Sequence, residues 1–234
     1  MFVTVVPAQA FGTNCYLVAP APGEQCVVID PGIGVLDQLD HAFAEHRLHP
    51  VAVVLTHGHL DHTFSVAPVC GARGITAYIH PDDRELLADP AKGLSAELKQ
   101  LFGGKLSYTE PDEVAPLLDG AVVRLAGLEL TIEHAPGHTG GSVLIRSPGQ
   151  LEGSAGAAPL CFSGDVLFAG SIGRTDLPGG DPAAMLASLR DKVLPLADET
   201  VVLPGHGPRT TIGRERRSNP YLLDVARTAP HRGI

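Results

Sequence analysis

The stretch "VAVVLTHGHLDHTFS" (residues 51–65) sets an apolar run directly against four potential metal ligands. Val51 to Leu55 is short, rich in β-branched residues and without a charge, the signature of a buried strand. His57, His59, Asp61 and His62 follow it within six residues. Histidines also cluster by chance on surfaces, and the chain holds eleven of them. A chance cluster, however, has no reason to sit in the turn after a buried strand, nor to be echoed by His and Asp at other turns of the same kind.

Outward from this stretch the chain alternates short apolar runs with turns. "FVTVV", "CYLVA" and "QCVVID" read as strands, separated by the turn chemistry of "PAQAFGTN" and "PAPGE". Val35, Leu36, Leu39, Ala42 and Phe43 recur at helical spacing in "VLDQLDHAFAEHRL". Residues 64–71 read as a short helix, "ITAYIH" as a strand, and "PDDRELLADP" as a helix opened by Pro81 with acidic residues in its first turn. Residues 90–113 are ambiguous, with "SAELKQLFGG" a candidate helix over a site. "AVVRL" and "LELTIEHA" form a hairpin pattern, and "SVLIR" and "PLCFSG" the next pair, joined by a Gly- and Ala-rich loop expected to be mobile. "DPAAMLASLRDKVLPL" is a helix, "TVVLP" a strand, and "GRERRSNPYLLDVA" a helical region broken by Pro220. This order predicts two sheets covered by helices on their outer faces, in one domain spanning residues 1–234 without repeats or a linker.

Three further strand ends carry the same kind of residue. "LELTIEHA" leads to His138 in "PGHTGGS", "PLCFSG" to Asp165, and "TVVLP" to His206 in "GHG". Each sits beside a glycine, which permits a sharp turn and close approach. Imidazole with carboxylate suits zinc, or iron and manganese of similar charge. The seven side chains are too many for one tetrahedral ion. They suit two divalent ions, with His57, His59 and His138 on the first, Asp61, His62 and His206 on the second, and Asp165 between.

Composition sets bounds on this reading. Length allows a sizeable core, and 44% hydrophobic with 18% charged residues is an ordinary globular balance. With no Trp, the core rests on Val, Leu, Ile and Ala. A net charge of −9, with "GRERR" the only basic run, disfavours a nucleic-acid partner. No segment is apolar enough to span a membrane, and the N-terminus lacks the features of a signal peptide. Cys15, Cys26, Cys70 and Cys161 form no C-x-x-C pair and read as buried free thiols, suited to a reducing cytoplasm.

The H-x-H-x-D-H run, the later His138, Asp165 and His206, and Asp30 in "VVIDPG" resemble the five ordered motifs of the metallo-β-lactamase superfamily. The resemblance implies a four-layer αββα sandwich of the α/β (α+β) class, with a dinuclear site at one edge between the sheets. "PGHTGGS" and "GDVLFAGSIGRTDLPGGD" look like the glyoxalase II group, above all its short bacterial members. That likeness implies cleavage of a small hydroxyacyl thioester by a hydroxide held between the metals, with Asp61 and Asp165 as catalytic carboxylates. It also implies that Asp30 orients the His-rich loop and that Arg174, Thr175 and Asp176 wall the site. Persulfide dioxygenases share a G-R-T-D stretch, so a single iron on His57, His138 and Asp165 is the alternative. A metal-dependent phosphodiesterase or nuclease is a further one, although the basic surface and RNA-gripping arm of the superfamily's nucleases are not visible. β-Lactamases of the superfamily typically carry Cys where Asp165 stands. Only 28 residues follow His206, so most of the helical glutathione clamp of longer glyoxalase II enzymes is not expected, and the thiol carrier stays open.

The remaining candidates have plainer readings. Asp30 fits a simple turn, and Arg174 with Asp176 a surface ion pair. Pro136 and Gly137 keep His134 off any helical face shared with His138, so His134 reads as structural. His41, His46, His49 and His231 read as solvated, His80 as packed at a strand end, and Tyr16, Phe168 and Tyr221 as packing residues. Sequence leaves the oligomeric state open.

Overall fold

The computed structural model describes residues 1–102, 109–149 and 158–228. The expectations for the loop tip at 150–157 and for His231 lie outside these residues. The first half runs β1 (Phe2–Pro7), β2 (Asn14–Ala19), β3 (Gln25–Ile29), α1 (Leu36–His46), β4 (His49–Val54), α2 (Leu60–Thr63), α3 (Val66–Gly71), β5 (Thr76–Ile79), α4 (Arg84–Ala88), α5 (Ala96–Phe102) and β6 (Val114–Pro116). The second half runs β7 (Val122–Leu125), β8 (Leu128–His134), β9 (Val143–Ser147), β10 (Leu160–Gly164), α6 (Pro182–Ser188), β11 (Val201–Pro204), β12 (Thr210–Thr211), α7 (Ile212–Ser218) and α8 (Pro220–Thr228). The strands make two mixed six-stranded sheets, ordered β1-β2-β3-β4-β5-β6 and β12-β11-β10-β9-β8-β7.

Period-two alternation sorts side chains into three apolar layers. In β2, Tyr16 and Val18 face inward, where they meet Ile132, Ile145 and Phe162 of the second sheet. Cys15 and Leu17 of the same strand face outward onto Leu39 and Phe43 of α1 and Val66 and Val69 of α3. The second sheet does the same: Leu144, Cys161 and Val202 point out to Met185, Leu189, Leu222 and Val225 of the C-terminal helices. The four layers are therefore helices, sheet, sheet, helices, as the resemblance implies. Tyr16 and Phe162 cross the inter-sheet core edge to face, with centroids 5.3 Å apart. The Tyr16 hydroxyl, buried with its ring, donates to Pro204 O at 2.7 Å and ties the first sheet to β11.

Several local outcomes differ from the sequence patterns. The helix expected over 181–196 starts as read, with Asp181 accepting from Ala183 N and Ala184 N and Pro182 in the first turn, but passes into a π-helical turn at Leu189–Val193. "PDDRELLADP" is a 3₁₀ turn at Pro81–Asp83 followed by the five-residue α4. Asp61 and His62 stand on α2, a single helical turn too short for periodicity to reveal. The two parallel crossovers β3–α1–β4 and β4–α3–β5 put the C-terminal ends of their strands at one edge of the sandwich. β10 and β11, also parallel, bring their own C-terminal ends there.

Candidate metal centre

That edge gathers all seven candidate donors. The donor atoms of His57, His59 and His138 lie within 4.8 Å of one another, and so do those of Asp61, His62 and His206. Asp165 stands between the groups. Its Oδ1 is 3.4 Å from His62 Nε2, and its Oδ2 is 3.5 Å from His138 Nε2 and 3.6 Å from His206 Nε2.

Partners on the far side of each ring fix which nitrogen points in. His62 Nδ1 donates to Asp30 Oδ2 at 3.0 Å, His138 Nδ1 to Arg174 O at 2.7 Å, and His206 Nδ1 to Phe11 O at 3.2 Å. Thr56 Oγ1 gives its proton to Asp30 Oδ2 at 2.6 Å and so accepts from His57 Nδ1 at 3.1 Å. These four rings present Nε2 to the centre. His59 presents Nδ1 instead, 2.8 Å from His138 Nε2.

This arrangement supplies a test of whether cations fit. His62 Nε2 and His206 Nε2 are 3.3 Å apart, and both are lone pairs once their Nδ1 protons are committed. Two facing lone pairs repel unless a proton or a metal ion lies between them. His57 Nε2, His59 Nε2 and Asp165 Oδ1 are buried without a hydrogen-bond partner, an arrangement costing about 1–3 kcal/mol per group. Cations at the two triads would satisfy the facing lone pairs as well as His57 Nε2 and Asp165 Oδ1, so the residues fit two divalent ions; His59 Nε2, on the far side of its ring, is the exception.

Burial and neighbours shift the titrations in both directions. Burial, then the surrounding imidazoles, lowers His57 far below its ordinary value, and burial with His138 pushes His59 down to about 3. Burial also opposes charge on His62 and His206, but Asp61 and Asp165 outweigh it and raise both. Asp61 and Asp165 resist burial through His62 and His206 and are held below the carboxylate range. One side of the centre thus favours neutral imidazole and the other charge-paired groups.

The residues that only support the centre are also placed. Asp30 is 1% exposed and has a left-handed backbone, φ 51°, a strained setting for a non-glycine residue. Its oxygens accept from Thr56 N, Thr56 Oγ1 and His62 Nδ1, so it orients the His-rich loop rather than offering a free ligand atom. Thr13 Oγ1 donates to Asp61 Oδ2 at 3.0 Å, a support not read from the sequence. Arg174 acts at its backbone carbonyl. Its side chain forks onto Asp176 at 2.7 Å, with the two side chains 61% and 67% exposed. Arg174 lines the cavity, but Thr175 and Asp176 do not, which corrects the expectation that all three form its wall.

The cavity over the donors holds about 320 Å³. Asp61, His59, His138, Asp165 and His206 form its floor, and Phe11, Leu94, Leu98, Phe168 and Leu177 give it apolar sides. Phe168 is therefore a wall residue, its ring 6.0 Å from His206 and edge-on to it, and not the plain packing residue expected. Leu98 belongs to α5, the helix expected over the site. His80 and His134 stack at 4.0 Å in parallel planes, and His134 Nε2 donates to Gly140 O, in keeping with a structural role.

The family model of the Metallo-beta-lactamase superfamily matches residues 8–206. The chain belongs to that superfamily. Among relatives, the Haemophilus influenzae protein named hydroxyacylglutathione hydrolase GloC is 35% identical over 223 residues, covering 95% of this chain and 98% of the relative. Among solved structures, the BLEG-1 B3 metallo-beta-lactamase superposes with a TM-score of 0.80 at 36% identity, covering 94% of this chain and 99% of that one. TTHA1623, solved in a di-iron-bound form, superposes with a TM-score of 0.75 at 40% identity, covering 94% and 100%. Within the superfamily this chain is a hydrolase-like enzyme with histidine and aspartate clusters able to hold metal. Among the described residues no helix is long and apolar enough to cross a membrane.

Proposed function

We propose that the chain hydrolyses a small hydroxyacyl thioester, in the manner of a glyoxalase II enzyme, at a two-ion centre. The observation that carries the reading is Asp165, a carboxylate set between two three-donor clusters and exposed to the cavity floor. Similarity to the relative named hydroxyacylglutathione hydrolase supports the choice of thioester. His57, His59 and His138 would hold one ion, Asp61, His62 and His206 the other, and Asp165 both. Divalent ions bound there would acidify water and polarise a carbonyl; zinc is the proposed metal, with iron and manganese also suited.

The chain's own groups do the remaining work. Asp61, fixed by Thr13, reaches the cavity and orients water beside the scissile carbonyl. Asp30, Thr56 and the Arg174 carbonyl keep the imidazoles of His62, His57 and His138 in the tautomer that presents a lone pair. Leu94, Leu98 and Phe168 hold the substrate's carbon chain and thin the water around the reacting bond. A thiolate is a good leaving group, so no strong general acid is required. The partner proposed is a small-molecule thioester, with neither nucleic acid nor membrane, in a reducing cytoplasm that matches four buried free thiols.

A second reading, β-lactam hydrolysis, is favoured by the 36% identity to the BLEG-1 lactamase. One experiment separates the readings. Purified protein is offered a lactoyl thioester, a glutathione persulfide and a chromogenic cephalosporin while free thiol and dissolved oxygen are recorded. Thiol release from the thioester without oxygen uptake supports the proposal. Oxygen uptake with the persulfide and no thioester cleavage refutes it in favour of the dioxygenase, and turnover of the cephalosporin alone refutes it in favour of a lactamase.

A further inference from the structure

We infer that Asp83 is a positioning residue for His57, His59 and His138, a carboxylate clamp joining the two loops that carry them. Asp83 closes the 3₁₀ turn after β5 and is 1% exposed. Its Oδ2 accepts from Gly58 N and from Thr139 Oγ1, each at 2.7 Å, and its Oδ1 accepts from Gly141 N at 2.7 Å. Gly58 is the residue between His57 and His59, and Thr139 is the residue after His138. One carboxylate thus holds the backbone of both loops, one from each sheet. Bonds to an ionised acceptor are short and strong, so the clamp limits how far the loops can separate.

The surrounding packing is built to admit it. A Cβ on Gly141 would fall 2.7 Å from Asp83 N and 2.8 Å from Asp83 Cβ, so no other residue lets the loop close on the turn. Thr139 Oγ1, its proton given to Asp83, can accept from Ser142 Oγ at 2.8 Å, and Ser142 Oγ accepts from Thr139 N at 3.1 Å. The rings that the loops carry meet directly: His59 and His138 centroids are 4.5 Å apart, and His57 and His138 are 4.7 Å apart. Asp83 makes no hydrogen bond to Asp61, His62 or His206. Its effect should therefore fall on one triad only. Asp30 serves the other side, through His62 Nδ1.

The inference rests on the two-ion reading of the centre, and its test separates the two. Asp83→Asn keeps the shape, but either amide orientation turns NH₂ against a backbone N–H, of Gly58 or of Gly141. Thr139→Val, a milder variant, removes a single donor. Holo wild type and both variants are titrated with a chelator, counting ions per chain, and metal-free samples are melted in parallel. Wild type should lose two ions in separable steps. In Asp83→Asn one ion should leave at about 10–100-fold lower chelator strength, the range found when an outer partner of a ligand is removed, while the other ion leaves as in wild type. Thr139→Val should show the same split to a smaller degree, and it decides the matter if Asp83→Asn does not fold. Parallel loss of both ions, with a lowered metal-free melting point, would mean a merely structural role and overturn the inference. So would wild-type chelator curves in the variants. A wild type binding fewer than two ions overturns the two-ion reading itself, and the clamp with it.

Discussion

Replacing Gly205 with alanine should dismantle the centre while sparing the fold. Gly205 sits between β11 and His206 outside the left-handed region, so alanine's own φ is unstrained, although its Cβ would stand 3.1 Å from the Gly164 carbonyl carbon. Its Cβ would fall 2.7 Å from His62 Cε1 and closer still to Asp165 Oδ1, where ordinary contact begins at about 3.4 Å. His62 would have to retreat by about 0.7 Å and the Asp165 carboxylate by more. His62 is fully buried and held by Asp30, so the carboxylate yields. A misplacement near 1 Å in a catalytic constellation costs about 10²-fold in rate. Overpacking of the fold should cost about 1–3 kcal/mol. The assay is ions per chain by elemental analysis, thioester kcat/KM, and the melting point of the metal-free protein. Gly71→Ala in α3 is the control, since its Cβ meets nothing within 4 Å. Gly205→Ala protein that retains two ions and most of its turnover would refute the placement of Asp165 between the triads.

Two further outcomes follow from burial. In metal-free protein, stability should peak near neutral pH. His59, pushed down to about 3 by burial and His138, refuses the proton that the unfolded chain takes up below about 6.5. Stability is therefore lost between those values, on the order of 5 kcal/mol from this residue. His62 and His206 are raised, so their contribution is complete below about 6.5 and fades as pH climbs through their folded values. Chemical denaturation from pH 4 to 9 checks the peak, and a monotonic rise with pH would contradict it. Separately, Cys15, Cys26, Cys70 and Cys161 are free and buried, and burial pushes the latter three thiols up to about 12. A thiol reagent at pH 8 should label none of the four in the native state and all of them in guanidinium. Rapid native labelling would show that these strands open readily.

The sandwich was legible because each strand declares its two faces. Cys15 and Leu17 against Tyr16 and Val18 is a pattern that only a sheet covered on both sides satisfies. The donors were legible because each group follows an apolar run, and all but Asp61 and His62 stand beside a glycine. What escaped the sequence is whatever depends on contacts between distant segments. Asp83 reads as an ordinary acidic residue in a helix's first turn, and nothing local shows that Gly58 and Gly141 come to it. The GRTD stretch reads as charge, yet its bond to His138 is made by a backbone carbonyl that any residue could supply. Phe11, Leu94 and Phe168 become cavity walls only when a hairpin, α5's approach and the segment after β10 converge. β12 has two residues, too few for any pattern.

Thioester hydrolysis measured against metal equivalents tests the two-ion centre most directly. Metal-free protein is loaded in steps with zinc, iron(II) or manganese(II) under anaerobic conditions, and thiol release is recorded at each step. Activity should be absent without metal and should climb to a plateau at two equivalents per chain with the effective metal. Full activity at one equivalent, or turnover that survives complete metal removal, would contradict the dinuclear hydrolase.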